Sequence, residues 1–156
     1  METTRHHTAT VYVVAGDAVA LHRHDGLNRW LPPGGHLARD ELPHEAALRE
    51  VREELGMDVE LVATTEKIES ETVEQLPQPQ HFQLADVNVT AQGVGHQHID
   101  MVYYAKAPHR EIDPAPGEQP AIDWHWFSAD ELEQREGEID QDVVEIGRRA
   151  IETVDE

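Results

Sequence analysis

The segment from Gly35 to Met57 constrains this chain more than any other. It reads Gly-His-Leu-Ala-Arg-Asp-Glu41-Leu-Pro-His-Glu-Ala-Ala-Leu-Arg49-Glu50-Val51-Arg-Glu53-Glu54-Leu-Gly56-Met57. A Pro/Gly-rich loop, Trp30 to Gly35, cannot be helical and leads into it. Pro43 suits the first helical position and Gly56 suits a helix stop, so the spacing predicts a helix over Pro43 to Leu55. Glu50, Glu53 and Glu54 stand at i, i+3 and i+4, on one helical face. Three carboxylates packed so closely repel one another. A divalent cation between them would resolve the repulsion, and hard oxygen ligands suit Mg²⁺ or Mn²⁺. Beside this face runs an apolar stripe of Ala47, Leu48, Val51 and Leu55, so the helix can pack on a sheet while presenting carboxylates to a cleft.

The wider composition points the same way. The chain has 156 residues and is expected to form one domain, residues 1–156. It has no cysteine, which excludes disulfides, thiolate metal sites and cysteine nucleophiles. It carries 32 acidic against 12 basic residues, a formal net charge of −20, and its lysines are Lys67 and Lys106 alone. The acid is spread along the chain, with no acidic tail. This pattern fits a surface adapted to high intracellular salt, where a Debye length of ~3 Å at about 1 M screens self-repulsion. No basic stripe exists to neutralise a polyphosphate backbone, so long nucleic acids are not expected as partners. A small phosphate substrate would also be repelled unless cations bridge it to the carboxylates. No apolar run is long enough for a membrane span, and Met1 to Thr10 lacks a signal-peptide core, so a cytoplasmic location without membrane association is expected.

Coarse periodicity outlines the remaining elements. Residues 8–15 read as a buried strand and 18–23 as its hairpin partner. Residues 58–66 read as a strand, and 70–80 as loop. His98 to Ala105 reads as a strand that can extend back to 81–89, and Ala121 to Phe127 as the last strand. Ser128-Ala-Asp-Glu131 resembles a capping box opening a short helix to about Gln134. Residues 139–154 read as a terminal helix with Ile139, Val143, Ile146, Ala150 and Val154 on one side. Gly147 costs that helix up to ~1 kcal/mol relative to Ala. Strands alternating with two or three helices predict an α/β sandwich with a mixed sheet.

The segment Gly35 to Met57 resembles the Nudix box, the signature of the Nudix hydrolase superfamily. The family pattern is Gly, five residues, Glu, seven residues, Arg-Glu, an apolar residue, any residue, Glu-Glu, any residue, Gly, apolar. Gly35, Glu41, Arg49, Glu50, Val51, Glu53, Glu54, Gly56 and Met57 fill it without departure. Trp124 to Leu132 resembles the family's closing strand and helix. The resemblance implies an α/β/α sandwich with a mixed β-sheet, in which the box forms a catalytic loop–helix–loop. It implies metal-dependent hydrolysis of the diphosphate linkage in a nucleoside diphosphate derivative: an ADP-ribose or ADP-sugar, a nucleoside triphosphate or a dinucleoside polyphosphate. By the same resemblance, Glu50 and Glu54 are the principal Mg²⁺ (or Mn²⁺) ligands and the Gly35 carbonyl is a further one. Glu53 either shares the metal or acts as base on the attacking water. Glu41 and Arg49 form an ion pair that holds the loop against the helix. The resemblance allows a homodimer by analogy alone and leaves the oligomeric state open.

Outside the box, Glu118 sits in the loop Pro114-Ala-Pro-Gly-Glu-Gln-Pro, where some relatives place an extra metal ligand or base, with Glu111 as the fallback. His36, directly after the Gly-Gly turn, is a candidate phosphate contact. His96, His98 and Asp100 alternate and share a strand face; they read as cleft lining or hydrogen-bonded surface, since a zinc site would need further ligands that the spacing does not supply. Trp30 is a candidate to stack on a base or, in the plainer reading, to pack under its loop. His6, His7, His22 and His24 read as solvated. Substrate selection is expected in loops 24–30, 70–96 and 107–120. An alternative reading is a non-catalytic nucleotide-sensing module, which a complete box disfavours. An isoprenoid diphosphate isomerase is disfavoured because its chemistry calls on a cysteine.

Overall fold

The computed structural model describes residues 2–24, 29–135 and 137–155. The first strand, β1 (Thr4–Ala15), is the axis of the fold. Its Val/Ala/Tyr-rich half, Ala9 to Ala15, is buried on both faces, apart from the half-buried Thr10. Along one edge β1 runs parallel to β7 (Gly93–Lys106), in register from Thr4↔His96 to Val14↔Lys106. Along its other edge it pairs antiparallel with β4 (Gly34–His36) and, at Val14 and Ala15, with β2 (Ala18–His24). β2 carries β3 (Arg29–Leu31) and β8 (Trp124–Ser128) as antiparallel partners. β7 carries β5 (Glu60–Leu61) and β6 (His81–Thr90) on its outer edge. The described strands thus form one mixed eight-stranded sheet.

Strand alternation sends side chains to two layers. Ala9, Val11, Val13, Tyr103 and Ala105 face α1 (Pro43–Leu55), whose buried residues are Ala46, Ala47, Val51 and Leu55. Tyr12, Val14, Val102 and Tyr104 face the opposite layer, made by α2 (Ala129–Gln134) and α3 (Gln141–Asp155) through Leu132, Val143, Val144, Ile146, Ala150 and Ile151. The result is the expected α/β/α sandwich. Full burial of each large aliphatic side chain contributes about 1.5–3 kcal/mol.

Several elements depart from the sequence expectation for identifiable reasons. The strand expected over 58–66 is only Glu60–Leu61. The outer edge of β7 has room for it only there: Val62 N–H still reaches Tyr104 O at 2.8 Å, but Gln80 N–H takes Val102 O at 2.7 Å and β6 takes the rest. β1 begins at Thr4 rather than residue 8, because backbone pairing with β7 recruits a polar, exposed stretch that no hydrophobic signal marks. Ala121–Asp123 is a 3₁₀ turn, and β8 starts at Trp124. On α1, Ala46 is buried and Leu48 is only half-buried, so the core-facing stripe is rotated from the expected one. Ser128 accepts from Glu131 N–H and caps α2 as expected. A Cβ on Gly147 would lie 3.0 Å from Leu132 Cδ1, so the glycine lets α3 approach α2 closely. Residues 25–28 of the loop 24–30 lie outside the described residues.

Candidate active site

Local backbone geometry builds the site before any side chain is considered. Gly34 and Gly35 lie on β4, against Thr10 and Ala9 of β1. A Cβ on Gly34 would stand 2.4 Å from Ala9 O, and one on Gly35 would stand 2.5 Å from Glu50 Oε1. The Gly34 clash is with backbone, so glycine there is what lets β4 lie against β1, whereas at Gly35 the neighbour is the end of the Glu50 side chain. Glu54 then accepts a hydrogen bond from Gly34 N–H at 2.8 Å, which locks loop and helix together.

Arg49 ties the box in place. Its guanidinium donates to Glu41 Oε2 at 2.8 Å and Oε1 at 3.0 Å, a bidentate pair, and to His36 O at 3.1 Å. It also donates to Glu50 Oε1 at 3.0 Å and Glu53 Oε2 at 3.3 Å. Glu41 accepts from Ala38 N–H at 2.9 Å, so the loop is closed at both ends. Hydrogen bonding to Arg49 holds the Glu41 carboxyl below its ordinary range and raises the guanidinium further above its own.

A second segment comes to the same place from far along the chain. Asp113 N–H donates to Leu55 O at 2.9 Å and Ala115 N–H to Glu53 O at 2.8 Å. These bonds use the free carbonyls at the end of α1. Gly56, with φ +70°, makes room: a Cβ there would lie 1.9 Å from Asp113 O. Gln119 Nε2 donates to Arg23 O at 2.6 Å and fastens the far end of the loop. Glu118, held between these anchors, is near enough for its charge to act on Glu50 and Glu54.

The electrostatics follow from this crowding. Burial pushes the Glu54 carboxyl up to about 8; the Gly34 N–H opposes this, while Glu50, Glu118 and Glu53 reinforce it. Burial also raises Glu50; Arg49 opposes, and Glu53 and Glu118 add to the rise. Glu50 and Glu53 share a guanidinium that is itself largely committed to Glu41, while Glu54 takes the Gly34 N–H. Such a cluster is under-neutralised, and its all-oxygen donor set suits a hard divalent cation. Glu53 is more open than Glu50, with its side chain 42% exposed against 15%.

Glu54, Gly34, Gly35 and His36 border a cleft of about 450 Å³. Its other wall is formed by β1, β6 and β7. There the buried Asp100 accepts from Thr8 Oγ1 at 2.9 Å, Thr10 Oγ1 at 2.8 Å and Gln83 Nε2 at 3.3 Å. Burial raises the Asp100 carboxyl despite these donors. His98 lines the cleft as the sequence suggested, and burial lowers both it and His36.

Other expectations are corrected. His22, read as solvated, is only 7% exposed; it packs against Trp124 at 4.6 Å and lines the cleft with His24. Trp30, by contrast, follows its plainer reading: it packs edge-on against Phe127 at 5.0 Å and against the core. Arg29, Gln83, Gln119, Asp140 and Asp142 also line the cleft and were not singled out. They come from separate elements, and no spacing within one element announces them.

The fold and the box together define a Nudix domain, and comparison with known proteins agrees. The sequence model of the NUDIX domain matches residues 4–145, so the chain belongs to the Nudix family. A NUDIX-family hydrolase from Clostridium perfringens superposes with a TM-score of 0.80 at 31% identity, over 97% of this chain and 99% of that one. The dihydroneopterin triphosphate pyrophosphohydrolase of E. coli shares the fold with a TM-score of 0.61 at 20% identity, over 94% and 92% of the two chains. The bis(5'-nucleosyl)-tetraphosphatase [asymmetrical] of Mus musculus is 36% identical over 70 residues, 43% of this chain and 48% of that protein. The matched segment therefore spans about half the length of that curated relative.

Proposed function

We propose that this protein hydrolyses the diphosphate linkage of a nucleoside diphosphate derivative with Mg²⁺ or Mn²⁺ as cofactor, and that dinucleoside polyphosphates are its first substrate class. The observation that carries the reaction type is the convergence of Glu50, Glu53, Glu54 and Glu118 with one partly committed arginine. The substrate class rests on the 36% identity to the mouse tetraphosphatase segment.

Glu50, Glu54, Glu118 and the Gly35 carbonyl would hold the metal, with Glu53 beside them. A bound divalent ion supplies neutralisation of phosphate charge and a more acidic water. Glu53, more solvent-accessible than Glu50, would take a proton from the attacking water. Glu41 and Arg49 position Glu50 and Glu53 and do no chemistry themselves. His36 and His98, on the cleft wall, would contact phosphate oxygens. The acidic cluster alone would repel an anionic substrate, so binding of cation and substrate is coupled.

The same reading takes residues 1–156 as one domain acting on a small nucleotide, in the cytoplasm and as a possible homodimer, with a surface adapted to high salt. Among the described residues no helix is long and apolar enough to cross a membrane. The test is a panel of diadenosine tetraphosphate, ADP-ribose, ADP-sugars and nucleoside triphosphates, assayed with Mg²⁺, Mn²⁺ and chelator at low and high salt. Metal-dependent turnover, highest on diadenosine tetraphosphate, is expected. Equal turnover in chelator would overturn the metal assignment, and preference for another nucleotide would overturn the substrate class.

A further inference from the structure

The sheet register assembles a cluster of four histidines, of which the proposed reaction uses His36 and His98 at most and leaves His6 and His96 without a role. His6 on β1 pairs with His98 on β7, and Thr8 on β1 pairs with His36 on β4. Paired residues share a sheet face, as do residues two apart on one strand. His6, His36, His96 and His98 therefore project from one face, although they come from three strands.

Their rings are packed edge to face. Centroids are 5.1 Å apart for His6 and His36, 4.7 Å for His6 and His96, 4.9 Å for His36 and His98, and 5.0 Å for His96 and His98. One ligand atom from each of His6, His36 and His96 lies within 4.8 Å of the others. His98 Nε2 is 3.2 Å from His36 Nε2. In a tetrahedral site with metal–nitrogen bonds of ~2.0–2.1 Å, adjacent nitrogens stand ~3.3 Å apart. One edge of the cluster already has that length, and ring rotation can bring the others toward it. Thr4 Oγ1 lies 2.9 Å from His96 Nδ1, which occupies that nitrogen and leaves Nε2 as the free one. A hydrogen-bond acceptor on the non-ligating nitrogen, usually a carboxylate, carbonyl or water, orients a ligand imidazole, and the Thr4 hydroxyl can fill that role here.

We propose that His6, His36, His96 and His98 form a second metal site, for a borderline transition-metal ion of the Zn²⁺ class, separate from the glutamate cluster. Imidazole nitrogens favour such ions, whereas carboxylates and carbonyls favour Mg²⁺ and Mn²⁺. The site also has a structural use. Thr4 to His7 of β1 are polar and exposed, ahead of the buried Thr8 and Ala9. A metal ion would clamp β1, β4 and β7 together at this end of the sheet and stabilise the folded state by binding to it alone.

The test uses the full chain stripped of metal, titrated with Zn²⁺ in excess Mg²⁺ so that the glutamate cluster is saturated. Uptake of one Zn²⁺ per chain, a rise in melting temperature, and intense visible absorption of a tetrahedral Co²⁺ complex are expected. Combining His6→Asn with His96→Asn should weaken Zn²⁺ binding by about 100-fold or more and abolish the thermal shift. Circular dichroism establishes that this variant folds. His96→Asn alone, and the Co²⁺ spectrum of the unaltered chain, carry the test if it does not. Combining Glu50→Gln with Glu54→Gln should leave Zn²⁺ uptake intact, so failure here and failure of the hydrolase reading are separable. Absence of Zn²⁺ uptake, or a weak octahedral Co²⁺ spectrum, overturns the proposal. So does undiminished binding by the histidine variants, or loss of uptake in the glutamate variant.

Discussion

The glutamate cluster and the histidine cluster lie on either side of Gly35, yet they are built in opposite ways. Three of the four clustered glutamates come from one helical turn and a bit, so residue spacing alone places them together. The four histidines come from β1, β4 and β7, separated by as many as 92 positions, as between His6 and His98. Their proximity is a property of strand register. A helix writes its face into the chain with a period of 3.6, whereas a sheet writes only alternation and leaves the partner unstated. The glutamates are also tethered by Arg49 and Gly34, while the histidines hold one another through ring contacts and the His36–His98 contact.

Substitutions can separate the two regions. The largest effect is expected for Glu53→Gln, which removes the proposed base: turnover should fall by about 10²–10⁴-fold, with Zn²⁺ uptake unchanged. Activity that survives undiminished would remove Glu53 from its assigned role. Next is Gly56→Ala. It forces a side chain onto φ +70° and into Asp113 O, so the loop bearing Glu118 must move. Stability should fall by about 2–4 kcal/mol in denaturant titration, and Mg²⁺ should bind more weakly. If Glu118→Gln weakens Mg²⁺ binding by about 10-fold while melting temperature is unchanged, the two consequences of Gly56→Ala are resolved. A Glu118→Gln protein with unaltered Mg²⁺ affinity would leave that carboxylate as a solvated bystander.

A pH titration gives the smallest but most diagnostic effect. Glu54 is raised to about 8 in the metal-free fold, above the unfolded value, so the folded state binds the extra proton between the two. Its contribution to stability is therefore present below the unfolded pKa and is lost as pH rises through about 8. The metal-free protein should melt lower at pH 9 than at pH 6, and Mg²⁺ affinity should rise over that interval because the ligating form is the ionised one. Saturating Mg²⁺ should flatten the melting profile. A metal-free profile without slope across this range would contradict the electrostatic account of Glu54.

Much of the fold was legible because its signals are local. Pro43 and Gly56 bound α1 at the expected residues, and Ser128 caps α2. The exceptions are informative. The strand expected at 58–66 shrank to two residues because β6 and Gln80 occupy the remaining edge of β7, a competition no single segment reveals. Leu48 yielded its place to Ala46 because the sheet set the rotation of α1. His22 is polar and strand-edge-like in sequence, but Trp124 and the closing loop bury it.

By itself the sequence determined the box: its turn, its helix, the glutamate face and the arginine that ties them together. Those features depend on contacts within a few residues, where backbone geometry alone sets the distances. Tertiary structure decided that the loop bearing Glu118 would close on the end of α1, through backbone hydrogen bonds from Asp113 and Ala115. It also decided that four histidines would meet, because parallel pairing of β1 with β7 and insertion of β4 set a register that chain order does not contain. Interactions closing such long loops form only when the whole sheet has formed, and so they are invisible to any local pattern.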